Sequence, residues 1–199
     1  MVRLQIFKVQ PTDLATIHSI VDLQSRLTLP IESDRKTTYQ SSGYLISSYT
    51  SNDFIGCLMQ GGGIYGARQV SHSQIVGYLL HNPGESFSRR NPNTTVVWDS
   101  IESQREFEVM YLEGRFWYLD QIAVDTAFHG RGVAKSMLET FEGEKTGSML
   151  LGSVIESPIP NFRSLRFFQK NGYVKVGSFF TPEIKGVKNV RSSVLVKSL

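Results

Sequence analysis

Apolar and polar residues alternate from Val2 to Val9, with Val2, Leu4 and Ile6 on one side, and this period of two predicts a half-buried strand. Pro11-Thr12-Asp13 supplies a helix start, after which Leu14, Ile17, Ile20, Val21 and Leu23 recur at helical spacing. The stretch from Asp34 to Ser51 is polar and serine-rich, broken by Gly43-Tyr44-Leu45-Ile46, and reads as a loop or irregular segment. Thr50-Ser51-Asn52-Asp53 resembles a helix cap ahead of Phe54, Ile55, Leu58 and Met59, and Gly61-Gly62-Gly63 ends that helix. Ile64 to Ala67 and Gln74 to Leu80 flank Val-Ser-His-Ser and predict a hairpin. Residues 82 to 115 carry the least regular pattern, rich in Asn, Pro, Ser and acids, and read as a solvated face or lid.

Phe116 to Val124 is the strongest strand signal in the chain. A glycine loop follows, and then Val133, Met137, Leu138 and Phe141 mark one side of a helix that Gly143 or Gly147 ends. Ser148 to Ile155 reads as a buried strand and Asn161 to Lys170 as a helix stopped by Asn171-Gly172. Val174 to Phe180 and Ser193 to Val196 close the chain as strands. Helices and strands interleave without repeats, which predicts one α/β domain with a mixed sheet spanning 1–199.

Composition narrows the chemistry. Cys57 stands alone in an apolar context, which excludes a disulfide framework and a multi-cysteine metal site within the chain and predicts a buried, inert thiol. Neither a signal-peptide pattern nor an apolar run of the ~20 residues that span a bilayer is present, so the sequence predicts a cytoplasmic protein without a metal cofactor. Charge is unevenly spread. Residues 1–128 hold 10 Lys+Arg against 13 Asp+Glu, whereas residues 129–199 hold 11 against 5, so an anionic ligand finds its field in the last third. The five carboxylates between Asp99 and Glu113 weakly favour a cationic acceptor such as a polyamine, aminoglycoside or basic peptide.

In that last third, Phe128-His129-Gly130-Arg131-Gly132-Val133-Ala134-Lys135-Ser136 joins a strand to a helix. The first amides of such a helix lack internal acceptors and point outward with the positive end of the dipole, so a phosphate is stabilised there. Two familiar phosphate loops fit badly. A Walker A loop needs four residues between its first Gly and Gly-Lys-Ser/Thr, but Lys135-Ser136 follows Val-Ala. A dinucleotide fingerprint wants Gly where Lys135 stands and a shorter turn than Asp125 to Phe128 allows.

Leu119-Asp120-Gln121-Ile122-Ala123-Val124, followed by His129-Gly130-Arg131-Gly132-Val133-Ala134, resembles the acyl-CoA-binding motif of the GNAT N-acetyltransferase superfamily, written Gln/Arg-x-x-Gly-x-Gly/Ala after a strand. Asn161-x-x-Ser164-x-x-Phe167-Phe168-x-Lys170-x-Gly172-Tyr173 matches the second half of the pattern. The resemblance implies an α/β (α+β) domain whose twisted, mixed, mostly antiparallel sheet of about six or seven strands is flanked by about four helices. It implies that the amides of Gly130, Arg131, Gly132, Val133, Ala134 and Lys135 hold the CoA pyrophosphate. The main chain of Ile122, Ala123 and Val124 would pair with the pantetheine arm, and Asn161 would meet the arm from the other side. His129 departs from the usual Gln or Arg.

The implied reaction is attack of a primary amine on the acetyl-CoA thioester in a ternary complex. An alkyl ammonium with a pKa near ~10 must first lose a proton, so a base is required. The resemblance offers Glu156, in the Glu-x-x-x-x-Asn spacing of members that act on protein N-termini and related amines, and Asp120, at the place of a strand carboxylate. Phe168 stands where many members carry a tyrosine that protonates the departing sulfur; it serves in packing and against the cofactor, and Tyr118 and Tyr173 are substitutes in principle. The expected assembly is a monomer or homodimer, and two rival readings remain at this level: a CoA-binding protein without transfer activity, and a nucleic-acid-binding module, for which no helix-turn-helix or RNA-binding motif is visible.

Overall fold

The computed structural model describes residues 3–29, 43–71, 73–87 with the backbone of 88–90, and 95–199. Much of the loop expected at 34–51 therefore lies outside the described residues. The elements run β1 (Leu4–Lys8), α1 (Leu14–Leu27), α2 (Ser51–Met59), β2 (Gly63–Gln69), β3 (Ile75–Pro83), α3 (Glu85–Arg90), β4 (Val97–Trp98) and α4 (Ile101–Leu112). They continue with β5 (Phe116–Val124), a 3-10 turn (Thr126–Phe128), α5 (Val133–Glu144), β6 (Met149–Ser157), α6 (Phe162–Lys170), β7 (Val174–Ile184) and β8 (Val187–Ser198). Local signals account for the starts. Asp13 accepts from the Thr16 amide at 3.1 Å, and Thr50 and Asp53 close a reciprocal capping box at the head of α2.

The eight strands form one sheet in the order β1-β2-β3-β5-β6-β8-β7-β4. Every neighbouring pair is antiparallel except β5 and β6. One face carries Tyr65, Leu79, Leu119, Leu150 and Leu195 against Val133, Met137, Leu138 and Phe141 of α5 and Phe168 of α6. The other is covered by Ile17, Ile20 and Leu23 of α1 and Phe54 and Cys57 of α2. Each fully buried Leu or Phe in these layers contributes roughly 1.5–3 kcal/mol of transfer free energy. Cys57 is buried and forms no disulfide, as its context predicts.

The sheet has more strands, and the described residues more helices, than the sequence predicts. The extra elements lie in 82–115, expected to be irregular. β3 runs on to Pro83, and α3, β4 and α4 follow. No residue of α4 is buried, and it rests on Trp98 and Phe116 through Phe107, with ring centroids 4.8 Å apart in each case. Met110 packs on the same cluster, but a helix with so few half-buried positions leaves only a weak apolar stripe for periodicity to detect. The last two strands are also longer than predicted. They join through Lys185 and Gly186, both at positive φ, the two-residue turn that suits strand twist.

Candidate functional site

β5 pairs with β6 only from Phe116 to Leu119, opposite Met149 to Gly152. Beyond that point β5 stays on β3 and β6 stays on β8, so the two parallel strands part. Residues 120–124 therefore present main-chain groups to a gap without a β6 partner. The register of β5 against β3 slips at the same place: Leu119 faces His81 and Gln121 faces Leu80, leaving Asp120 as the extra residue of a bulge. Bulges re-aim side chains and end pairing, and this one does both where the gap opens.

The glycine loop lies at one mouth of the gap. Gly130 and Gly132 have φ of 74° and 79°, a region favouring glycine, and a methyl group built on either would meet open space. Gly132 is the N-cap of α5 and supplies no side-chain cap, so the first amides of the helix have no acceptor from that residue. A cavity of about 740 Å³ adjoins them, lined by Ile122 to Val124, His129, Gly130 and Gly132 to Lys135. Arg163, Arg166 and Lys170 of α6 line it too. Those three cations escaped the sequence reading; their signal was the spacing 163, 166, 170, which places them on one helical face. His129 Nε2 lies 3.0 Å from the Val124 carbonyl and in the tautomer carrying a proton there donates to it. Burial, and then the Arg163 charge, hold the imidazole below its usual pKa against the opposing pull of Val124 and Asp125.

A second cavity, about 840 Å³, shares Tyr44, Leu45, Ile122 and Ser164 with the first, so the two meet at the gap. Its walls include Tyr49, Tyr118, Asp120, Gln121, Ile155, Asn161, Phe168 and Phe179, with Thr181 to Lys185 of the β7–β8 hairpin at its edge. Tyr49 donates from its hydroxyl to both Asp120 oxygens, at 3.0 and 3.1 Å, and Asn82 Nδ2 donates to the same carboxylate at 3.0 Å. One wall is a strap, residues 43–49, fastened by three buried carboxamides. Gln24 holds both main-chain groups of Tyr49 at 2.8 and 3.0 Å, Gln121 donates to the Ser47 carbonyl at 2.9 Å, and Asn161 donates to the Tyr44 carbonyl at 2.9 Å.

The remaining candidates fall into two groups. Asn161 lines the second cavity, but it caps α6 through the Ser164 amide as well as holding the strap. Phe168 is buried on the same wall, its ring 3.2 Å from where a Gly152 side chain would begin. Glu156 lines neither cavity. It is the extra residue of a bulge in β6, and its carboxylate accepts from Lys175 at 2.6 Å and from Ser193, with Arg191 at 3.5 Å. Burial raises its pKa, but the hydrogen bonds and cations of those partners outweigh that and hold it below the usual range. Tyr173 is buried away from both cavities, whereas Tyr118 lines the second. The acidic run 99–113 contributes to neither cavity; it lies in and beside α4. Among the described residues, the carboxylates that line the second cavity are Asp120 and Glu183.

Among the described residues no cluster of His, Cys, Asp or Glu has metal-binding geometry, and no helix is long and apolar enough to cross a membrane. Comparison with the curated proteins gave no match. Solved structures match over nearly the whole chain. An N-acetyltransferase from Staphylococcus aureus aligns with a TM-score of 0.61 and 14% identity, covering 98% of each chain. Naa50 of Arabidopsis thaliana, in complex with the bisubstrate analogue CoA-Ac-MVNAL, aligns at 0.60 and 12%, covering 98% of this chain and 99% of that one. NAA60 of Arabidopsis thaliana in complex with acetyl-CoA aligns at 0.59 and 13%, covering 99% and 100%. At such identities the likeness is one of fold. The sequence carries the family itself: the model of the acetyltransferase (GNAT) family matches residues 24–173, and the chain belongs to that family.

Proposed function

We propose that the chain is an acyl-CoA-dependent N-acyltransferase that moves an acetyl group from acetyl-CoA to a primary amine. The observation that carries this reading is the parting of β5 from β6 directly beside the uncapped start of α5. Unpaired strand groups, free helix amides and a cationic rim fit a long ligand with a peptide-like arm and a polyphosphate end. The Arabidopsis structures solved with acetyl-CoA and with a CoA-linked analogue lend further support.

Acetyl-CoA supplies an acyl group activated as a thioester. In this reading the amides of residues 130–135 hold the pyrophosphate, while Lys135, Arg163, Arg166 and Lys170 neutralise its charge. The open edge of Ile122 to Val124 aligns the arm as an added strand, and the second cavity receives the amine. Asp120, which lines that cavity, takes the amine proton. Glu156, already bound by two cations and a hydroxyl, secures β6 to β7 and β8 instead of acting as the base. Phe168 packs beside the reacting end.

Phe168 also favours a second reading, CoA binding without transfer, because the ring gives no proton to a departing thiolate. Measurement of CoA-induced melting shifts, and of free thiol released from acetyl-CoA across a panel of monoamines, polyamines, aminoglycosides and peptide N-termini, separates the readings. A shift with amine-dependent thiol release supports transfer. A shift with no release across the panel supports binding alone, and no shift removes both.

A further inference from the structure

Amine attack on a thioester moves two protons: one leaves the nitrogen and one must reach the sulfur. The second cavity holds a carboxylate and a phenol already joined for this. Tyr49 meets both oxygens of Asp120 from a strap far away in sequence, and both residues line the cavity. Tyr44, another phenol of that wall, donates its hydroxyl to the Ile159 carbonyl in a hydrogen bond. Tyr118 places its hydroxyl 3.5 Å from Ser153.

Tyr49 is held on every side. Gln24, 1% exposed, spends both ends of its amide on the Tyr49 main chain. The Tyr49 ring stands edge-on to Phe54, 5.6 Å between centroids, and Phe54 stands edge-on to Tyr78 at 5.8 Å. Tyr78 in turn donates to Gln121 at 2.6 Å, and Gln121 donates to Ser47 on the strap. Asn82, 2% exposed, fixes Asp120 from the opposite side. Buried amides that fix both the main chain and the partner of one exposed-to-cavity hydroxyl are how a reacting group is preorganised.

We infer that Tyr49 and Asp120 form the proton-handling pair of the transfer reaction, an inference that rests on the acyl-CoA reading above. As the C–N bond forms and the C–S bond breaks, Asp120 takes the proton of the amine. The Tyr49 hydroxyl gives its proton to the departing sulfur, and the proton on Asp120 returns to the phenolate oxygen. Amine and thioester leave as amide and thiol, and the pair is restored without any added reagent. Gln24 is its positioning residue.

The full chain with carbon-13 at Cζ of Tyr49 alone, observed by NMR, tests this without turnover. Tyr49 should respond to CoA and much less to desulfo-CoA, while both ligands raise the melting temperature. In the thiol-release assay, Tyr49→Phe keeps the ring against Phe54 and should lower kcat roughly 10–100-fold, with KM for acetyl-CoA within about twofold. Gln24→Leu should lower kcat and broaden the Tyr49 signal. Equal responses to the two ligands, or an unchanged kcat in Tyr49→Phe, overturn the pairing and leave CoA binding intact. Absence of any melting shift with CoA overturns the underlying reading and this inference together.

Discussion

His81 shows how much one side chain is asked to tolerate. It lies on β3 with its ring 4.4 Å from that of Phe141 and 5.4 Å from that of Trp117, and its buried Nδ1 has no hydrogen-bond partner among the described residues. Burial, reinforced by the Lys145 charge and opposed by Glu144, lowers its pKa to about 3. The unfolded chain, with an ordinary pKa near ~6.5, therefore binds a proton that the folded chain refuses. Stability is unaffected by this group above that value and falls as pH drops from there toward 3. From pH 7 to pH 5 the loss should be about 1–2 kcal/mol. Urea unfolding at the two pH values checks it: His81→Leu should lose less than the parent by that amount. His129 and Glu156, whose pKa values are also lowered, are common to both proteins, so their contributions cancel in the comparison.

At the level of elements, α5 combines two roles that a single substitution separates. Ala134 lies in its first turn and lines the first cavity. A carboxylate there interacts favourably with the helix dipole, by roughly 0.3–1 kcal/mol, but repels a phosphate from the same amides. Ala134→Glu should therefore raise the melting temperature of the free protein by about 1–3 °C while abolishing the shift that CoA produces. Calorimetry with and without CoA reads both effects. The legibility of the chain follows the same division. β5 and α5 were readable because each buries a strong stripe, and α6 because Asn161 caps it and Asn171-Gly172 ends it. α4 was not, since none of its residues is fully buried, and the polar hairpin β7–β8 was only half seen. The proposed phosphate side of the site was legible because the groups assigned to it are main-chain amides set by local glycines. The Tyr49–Asp120 pair was not, because 71 residues separate its members and only tertiary packing brings the strap to β5. The resemblance offers Glu156 and Asp120 alike, but each is the extra residue of its own bulge, one in β6 and one in β5, and the two carboxylates meet different partners.

Across the whole molecule, the positive balance of residues 129–199 becomes a local fact. Lys135, Arg163, Arg166 and Lys170 gather at one mouth of the gap, while Asp120 and Glu183 line the cavity beyond it. Binding of CoA should weaken several-fold when salt rises from about 0.05 to 0.5 M, as screening shortens the reach of those charges. Titration calorimetry across that range should show a shallower dependence for Arg166→Ala and for Lys170→Ala than for the parent. The strap responds to none of this. Its carboxamide fastenings, Gln24, Gln121 and Asn161, are neutral, neither titrating nor attracting counter-ions, and Leu45 adds main-chain bonds to Leu27 and Leu29. The charged mouth can thus be strengthened or weakened by mutation or ionic strength while the amide fastenings of the strap hold. On the proposed reading, affinity for the donor and fit for the acceptor are separately adjustable quantities, and substitutions at the rim offer a way to vary the first without disturbing the second.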